Sequence, residues 1–162
     1  NALYREYEPT VLVSTDPGIS SEIQNSGYSE THIHFTRNPL PGFGSRKIEH
    51  NSGFSSGPVA LTMAAMNFST VYILGFDLNS NTGKINNVYA GTDNYLSADA
   101  EPTYYGNWVN QVAKIMNDFS DAAFIRVTDG THITPDEWNL QSNYSEMSFS
   151  DFKVMINNIK LK

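Results

Sequence analysis

The chain has no cysteine, which excludes disulfides and thiolate metal sites and is compatible with a reducing compartment. Apolar runs are short: none approaches the roughly 20 residues that span a bilayer. The opening residues Asn1-Ala2-Leu3-Tyr4-Arg5-Glu6-Tyr7-Glu8 lack the basic-then-apolar plan of a signal peptide. A soluble, unexported, cytoplasmic protein without a membrane span is expected. Bases are scarce, 10 against 17 acids for a net charge of −7, so no nucleic-acid partner is expected, because such binders generally carry a basic face. The Gly-x-x-x-x-Gly-Lys-Ser/Thr and Gly-x-Gly-x-x-Gly fingerprints are missing too, which counts against ATP hydrolysis and NAD use.

What is present fits one compact domain over residues 1–162, with 40% hydrophobic and 17% charged residues. Because the first residue is Asn rather than Met, a product shortened at its N-terminus is expected. Val11 to Ser14 is β-branched and apolar and runs into Thr15-Asp16-Pro17-Gly18, a strand closing in a turn. Asp16 can cap the short helix that follows and that Gly27 ends. Thr31 to Thr36 alternates as a second strand, and 37–57, with two Pro and four Gly, reads as a long functional loop.

Residues 51–78 carry the most information. A Ser/Gly loop ends at Gly57, and Pro58 suits the first helical position, where its missing N–H costs nothing. The helix from Pro58 to about Asn67 is apolar on nearly every side, which predicts burial. Its first amides and dipole make Ser55, Ser56 and Gly57 a candidate anion cradle, with Arg46 and Lys47 as anion-contacting bases nearby in sequence; solvated loop charges are the plain alternative for those two. Thr70 to Gly75 is continuously apolar, as in a central parallel strand covered on both faces, and Phe76 and Asp77 follow it. After a long polar loop, 79–101, come an amphipathic helix from Pro102 to about Phe119, a strand at 122–127, a short helical turn at 131–138 and a closing helix at 148–159. The alternation predicts a doubly wound, mostly parallel, three-layer Rossmann-like α/β fold, with strand 70–75 between strands 11–14 and 122–127. The crevice then lies at the carboxyl ends of the strands, where Asp16, the Ser55–Gly57 turn and Gly75–Asp77 fall.

The Ser55-Ser56-Gly57 turn and its small-residue helix, followed by Val71-Tyr72-Ile73-Leu74-Gly75-Phe76-Asp77, resemble the core of the small bacterial sialyltransferases that use a CMP-sugar. Similar patterns occur in hydroxymethylpterin diphosphokinase-like proteins and in proteins of phage and marine bacteria. The match covers roughly residues 51–78 and, more loosely, 1–18. The resemblance implies a nucleotide or nucleotide-sugar ligand, contacted by Ser55, Ser56, Gly57, Gly75, Phe76 and Asp77, with Asn1 similar to an asparagine near the sugar or ribose. Sugar transfer from an activated donor, without metal or other cofactor, would be the activity. Two features of the family are missing: a first strand with a Gly-Asn-Gly-Pro-Ser type loop, and a histidine general base after the Gly-Ile-Asp segment. Residues 79–131 contain no histidine; His132 lies beyond the next strand and looks like a poor substitute.

Tyr89 or Asp93 would then have to serve as the catalytic base, although a tyrosine near its ordinary pKa of about 10 is a weak one. Asp16 can position a sugar hydroxyl or simply make the Asp-Pro-Gly turn; Asp77 can meet a ribose hydroxyl or cap its own turn. Tyr89, Tyr95, Tyr104 and Tyr105 can stack on a base or sugar, whereas Trp108 has core spacing with Val112 and Ile115. His32 and His34 share one strand face as a possible metal pair, but no third ligand accompanies them, and no metal site is expected. The rival readings are a non-catalytic binding domain that keeps the crevice and a diphosphokinase-like enzyme, which needs a carboxylate cluster for magnesium.

Overall fold

A computed structural model describes residues 1–80 and 82–160. The chain divides into two compact units, Asn1–Met63 with Lys84–Pro102, and Ala64–Gly83 with Thr103–Lys162. Each unit builds its own three-stranded, all-parallel sheet.

In the first unit a 3-10 turn, Ala2–Arg5, precedes β1 (Leu12–Ser14), α1 (Pro17–Asn25), α2 (Tyr28–Thr31), β2 (His34–Thr36) and β3 (Arg46–Lys47). The order is β1-β2-β3, with Leu12 opposite His34 and Ser14 opposite Thr36. Side chains alternate along β1, and both of its faces are covered. Leu12 packs with Ala2, Ile19 and Ile23 on the α1 side, whereas Val13 packs with Ile48 and with Val59 of the next helix, α3 (Ser56–Ala65). A strand buried on both faces needs apolar residues in succession, which is what Leu12 and Val13 supply, while Val11 before them is exposed.

In the second unit come β4 (Thr70–Ile73), α4 (Gly106–Asp118), β5 (Ala123–Thr128), α5 (Asp136–Asn139), β6 (Tyr144–Ser148) and α6 (Phe149–Lys160). The order is β4-β5-β6. Val109, Val112, Ile115 and Met116 form the buried stripe of α4, and Trp138 of α5, fully buried, donates its indole N–H to the Val109 carbonyl at 3.0 Å. Strand-helix-strand alternation with parallel, sequentially ordered strands is the Rossmann-like α/β plan the sequence predicts.

Several elements differ from expectation. Residues 28–31 form α2, so the second strand is confined to His34–Thr36. The expected loop 37–57 contains β3, which pairs Arg46 with Phe35 and Lys47 with Thr36. Helix α3 begins at Ser56, two residues ahead of Pro58, and buries Pro58, Val59, Leu61 and Thr62, while Ala60 within it and Met66 just past its end reach solvent. Strand β4 hydrogen-bonds to β5 alone, and β1 pairs with β2, so the strand flanked on both sides in its sheet is β5. Its buried Phe124, Arg126 and Val127 reflect that position. Strand β6 is absent from the sequence reading because Tyr144-Ser145-Glu146-Met147-Ser148 is polar and not β-branched; pairing with β5 on one side makes it a strand.

Candidate functional site

In parallel sheets the loops that leave the carboxyl ends of the strands carry the chemistry, and in each unit these loops hold predicted residues. In the first unit β1 ends at Ser14, Thr15 is buried, and Asp16 starts α1 with extended backbone, its exposed side chain making no cap bond to the helix. The expected cap by the Asp16 side chain is therefore not made; Pro17 and the Asp16 carbonyl, which accepts from the Ser20 N–H at 3.0 Å, begin the helix without it.

The Ser56 hydroxyl accepts from the Thr15 N–H at 3.0 Å and from the Asn1 side-chain amide at 3.2 Å, and lies 3.0 Å from Thr15 Oγ1. Asn1 in turn accepts from its neighbour Ala2 and from the Tyr95 hydroxyl. The loop before α3 is tied down by Arg37, whose guanidinium donates to the carbonyls of Ser52, of Phe54 at 2.7 Å and of Thr15 at 3.4 Å. Asn1, Thr15, Ser56 and Tyr95 thus join in one chain of hydrogen bonds, and the Ser56 side chain is committed to holding β1 against α3. Gly57 lies inside the first turn of the helix. Arg46 and Lys47 are exposed on β3, with the Arg46 guanidinium 5.8 Å from the Phe35 ring centre.

Tyr89 and Asp93 belong to a strap that folds onto α1. Tyr89 packs against the cluster of Ala2, Leu12, Ile19 and Ile23, with its ring 5.9 Å from Tyr95. Burial and the neighbouring Glu6 push its phenol above the ordinary tyrosine range, which leaves still less phenolate at neutral pH to act as a base. The Asp93 carbonyl accepts from Arg5 at 3.0 Å. Arg5 also pairs bidentately with Glu22, at 2.8 and 2.6 Å, while Tyr4 and Asn94 donate to the same carboxylate at 2.6 Å each. Hydrogen bonds, chiefly from Arg5, hold the Glu22 carboxyl down to about 2.

His32 and His34, which the sequence reading puts on one strand face, are separated. His32 ends α2 and stacks on Tyr28 at 4.3 Å, whereas His34 is fully buried on β2, its Nε2 at 2.7 Å from Ser14 Oγ and its Nδ1 at 2.8 Å from Ser45 Oγ. Among the described residues no group of three or more His, Cys, Asp or Glu side chains can hold a metal ion, and no helix is long and apolar enough to cross a membrane.

In the second unit Gly75 follows β4 with φ +71°, a left-handed conformation that favours glycine although a Cβ would meet nothing there. Phe76 is half-buried, and beyond it Asp77 turns to the loop that leaves β5. There His132 stands with Nε2 at 3.8 Å from Asp77 Oδ2 and Nδ1 at 2.6 Å from Asn79 Oδ1. An amide oxygen can only accept, so the Asn79 contact places the proton on His132 Nδ1 and turns the basic nitrogen toward Asp77. The loop is shaped by Asp129, whose Oδ1 accepts from the Thr131 N–H at 2.9 Å and from the Thr131 hydroxyl at 2.7 Å, and by Gly130 at φ +79°. Those bonds, with a smaller contribution from His132, hold the Asp129 carboxyl below its ordinary value.

His132 is the functional candidate that sequence spacing undervalued. The signal lay in topology: β4 and β5 are parallel neighbours, so their exit loops emerge side by side however far apart they are in sequence. A second missed residue is Arg126, a charge inside the apolar run 122–127. It is buried beside Trp138, 5.7 Å from the ring, and 3.5 Å from Glu146, with its Nη2 lacking a hydrogen-bond partner among the described residues. Of the predicted residues, Asn1, Asp16, Arg46, Lys47, Ser55, Ser56, Gly57, Tyr89 and Asp93 lie in the first unit, and Gly75, Phe76 and Asp77 in the second.

Comparison with known proteins gave no matching family model, no matching curated protein and no matching solved structure.

Proposed function

We propose that the protein binds a nucleotide or nucleotide-sugar and acts as a glycosyltransferase-like enzyme, with His132 as general base. The observation that carries this reading is the Asp77–His132 pair, with Asn79 behind the imidazole, at the carboxyl ends of β4 and β5. Asp77 belongs to the segment that the resemblance assigns to the nucleotide, and the imidazole presents Nε2 toward it as a proton-accepting nitrogen.

In the proposed transfer the acceptor hydroxyl oxygen bonds to the anomeric carbon of the donor sugar. The bond from that carbon to the donor phosphate oxygen breaks, and its electron pair leaves with the nucleotide. The acceptor proton passes to His132 Nε2, and the Asp77 carboxylate stabilises the imidazolium that forms. No metal is required by this scheme. The Ser56 hydroxyl is engaged with Thr15 and Asn1, so this reading counts no side-chain contact from the Ser55–Gly57 turn.

Titration calorimetry with CMP, UMP, AMP and GMP tests the binding, and release of nucleotide from CMP-sugar and UDP-sugar donors tests the chemistry. Binding of a pyrimidine nucleotide and donor turnover that His132→Ala abolishes are the expected results. No binding of any nucleotide at millimolar concentration rejects the reading. Binding without turnover leaves the second reading, a non-catalytic domain, which the engagement of Tyr89 and Asp93 in the strap favours.

A further inference from the structure

Beyond the Asp77–His132 pair, the second unit has a cleft of about 490 Å³ at the carboxyl ends of β5 and β6, a size within the range of about 300–1,000 Å³ usual for small-molecule sites. Its wall is formed by Asp129 and Gly130 after β5, and by Glu146, Ser148, Phe149 and Ser150 where β6 passes directly into α6. With no connecting loop at that junction, the backbone of Phe149 is set at the cleft, where the residue is 51% exposed.

The donors and acceptors here have a definite character. Thr134, Tyr144 and Arg126 all donate to Glu146 Oε1, and Thr131 donates twice to Asp129 Oδ1. The second oxygen of each carboxylate, Glu146 Oε2 and Asp129 Oδ2, accepts nothing from the described residues, and each has lone pairs available for a ligand hydroxyl. The Ser148 hydroxyl donates to Asp151 Oδ2 at 2.7 Å and accepts from the Asp151 N–H at 3.1 Å, so Ser150, 2.7 Å away, donates to it and keeps lone pairs that can accept from a ligand. Among the described residues no Lys, Arg or His lines the cleft, and the buried Arg126 pairs with Glu146. The Asp129 carboxylate, with no cation lining the cleft beside it, disfavours phosphate and carboxylate ligands. Acceptors grouped beside a half-exposed aromatic face suit instead a molecule with many neutral hydroxyls on one side and C–H groups on the other.

We propose that this cleft binds a neutral sugar, with Glu146 and Asp129 accepting from its hydroxyls and Phe149 packing against its C–H face. That the cleft binds a sugar stands on its own lining; that the sugar is the acceptor of transfer rests on the reading above, since Asp129 and His132 share the β5 exit loop.

The test is an amide-resolved NMR titration of the full chain with glucose, galactose, N-acetylglucosamine and lactose, and separately with inorganic phosphate. Saturable shifts by at least one sugar at Gly130, Ser148 and Ser150 are expected, with the dissociation constant raised at least tenfold by Phe149→Ala. Asp129→Asn is expected to raise it several-fold while circular dichroism stays unchanged. No shift at these amides with any of the four sugars, shifts elsewhere only, or a Phe149→Ala protein that binds as tightly as the parent overturns the proposal, as does phosphate binding in the cleft instead. Sugar binding without nucleotide binding leaves this site standing and removes the transferase reading; nucleotide binding without sugar binding does the reverse.

Discussion

Ser14 Oγ lies 2.7 Å from His34 Nε2, and neither side chain reaches solvent. With Ser45 on the other ring nitrogen at 2.8 Å, a neutral imidazole can donate on one side and accept on the other, because a hydroxyl does either. Burial therefore keeps the ring neutral and lowers its pKa to about 4.

This arrangement makes stability depend on pH in a defined window. Above the unfolded histidine value of about 6.5 neither state binds the proton. As pH falls from there to about 4, the unfolded chain takes it up and the native state does not, so stability is lost progressively, by about 3 kcal/mol in all. Urea unfolding at pH 7.5 and pH 4.5 measures it. His34→Gln is expected to flatten the dependence in that window; a variant that keeps the parent's slope would show that another group is responsible.

The Arg5–Glu22 pair is expected to fasten the strap to α1. Replacing Glu22 by Gln removes the charge to which Arg5, Tyr4 and Asn94 all donate. Hydrogen exchange at residues 89–95 should accelerate, and stability should fall by about 1–2 kcal/mol, the pair being only partly buried. Its contribution is complete above the ordinary glutamate value of about 4.3 and disappears as pH falls toward 2. Unaltered exchange in the strap would contradict the assignment.

If His132 is the base, His132→Ala should lower the turnover of donor sugar by about 10²–10⁴-fold, the usual contribution of a general base, with nucleotide affinity changed by less than about threefold. Asn79→Ala should give a smaller loss, since it frees the ring without removing it. A loss confined to KM would assign both residues to binding rather than chemistry.

The Arg126–Glu146 pair should respond unequally to substitution. Arg126 has a buried nitrogen without a partner among the described residues, so Arg126→Met removes a desolvated charge, and Glu146 keeps its bonds from Thr134 and Tyr144. Stability within about 1 kcal/mol of the parent, or higher, is expected. Glu146→Ala strands the arginine and should cost about 3 kcal/mol. Thermal unfolding of the two variants decides it, and equal losses would refute the asymmetry.

The amino-acid sequence by itself determined the elements whose signal is local. Apolar continuity marks β1, β4 and β5, period-3.6 stripes mark α4 and α6, and Pro and Gly mark the ends of α1 and the turn after β4. It also singled out Asp77, because an acid directly after an apolar strand stands at a carboxyl end. Only the tertiary structure decided which strands pair, and the rest follows from pairing. Polar β6 becomes a strand through its bonds to β5, Arg46 and Lys47 leave a loop for β3, and Ser56 spends its hydroxyl on Thr15. His132 meets Asp77 because two parallel neighbours release their loops at the same end. Hydrogen bonds between strands join residues distant along the chain, so no local window of sequence contains them, and the chemistry at the strand ends is set by that pairing.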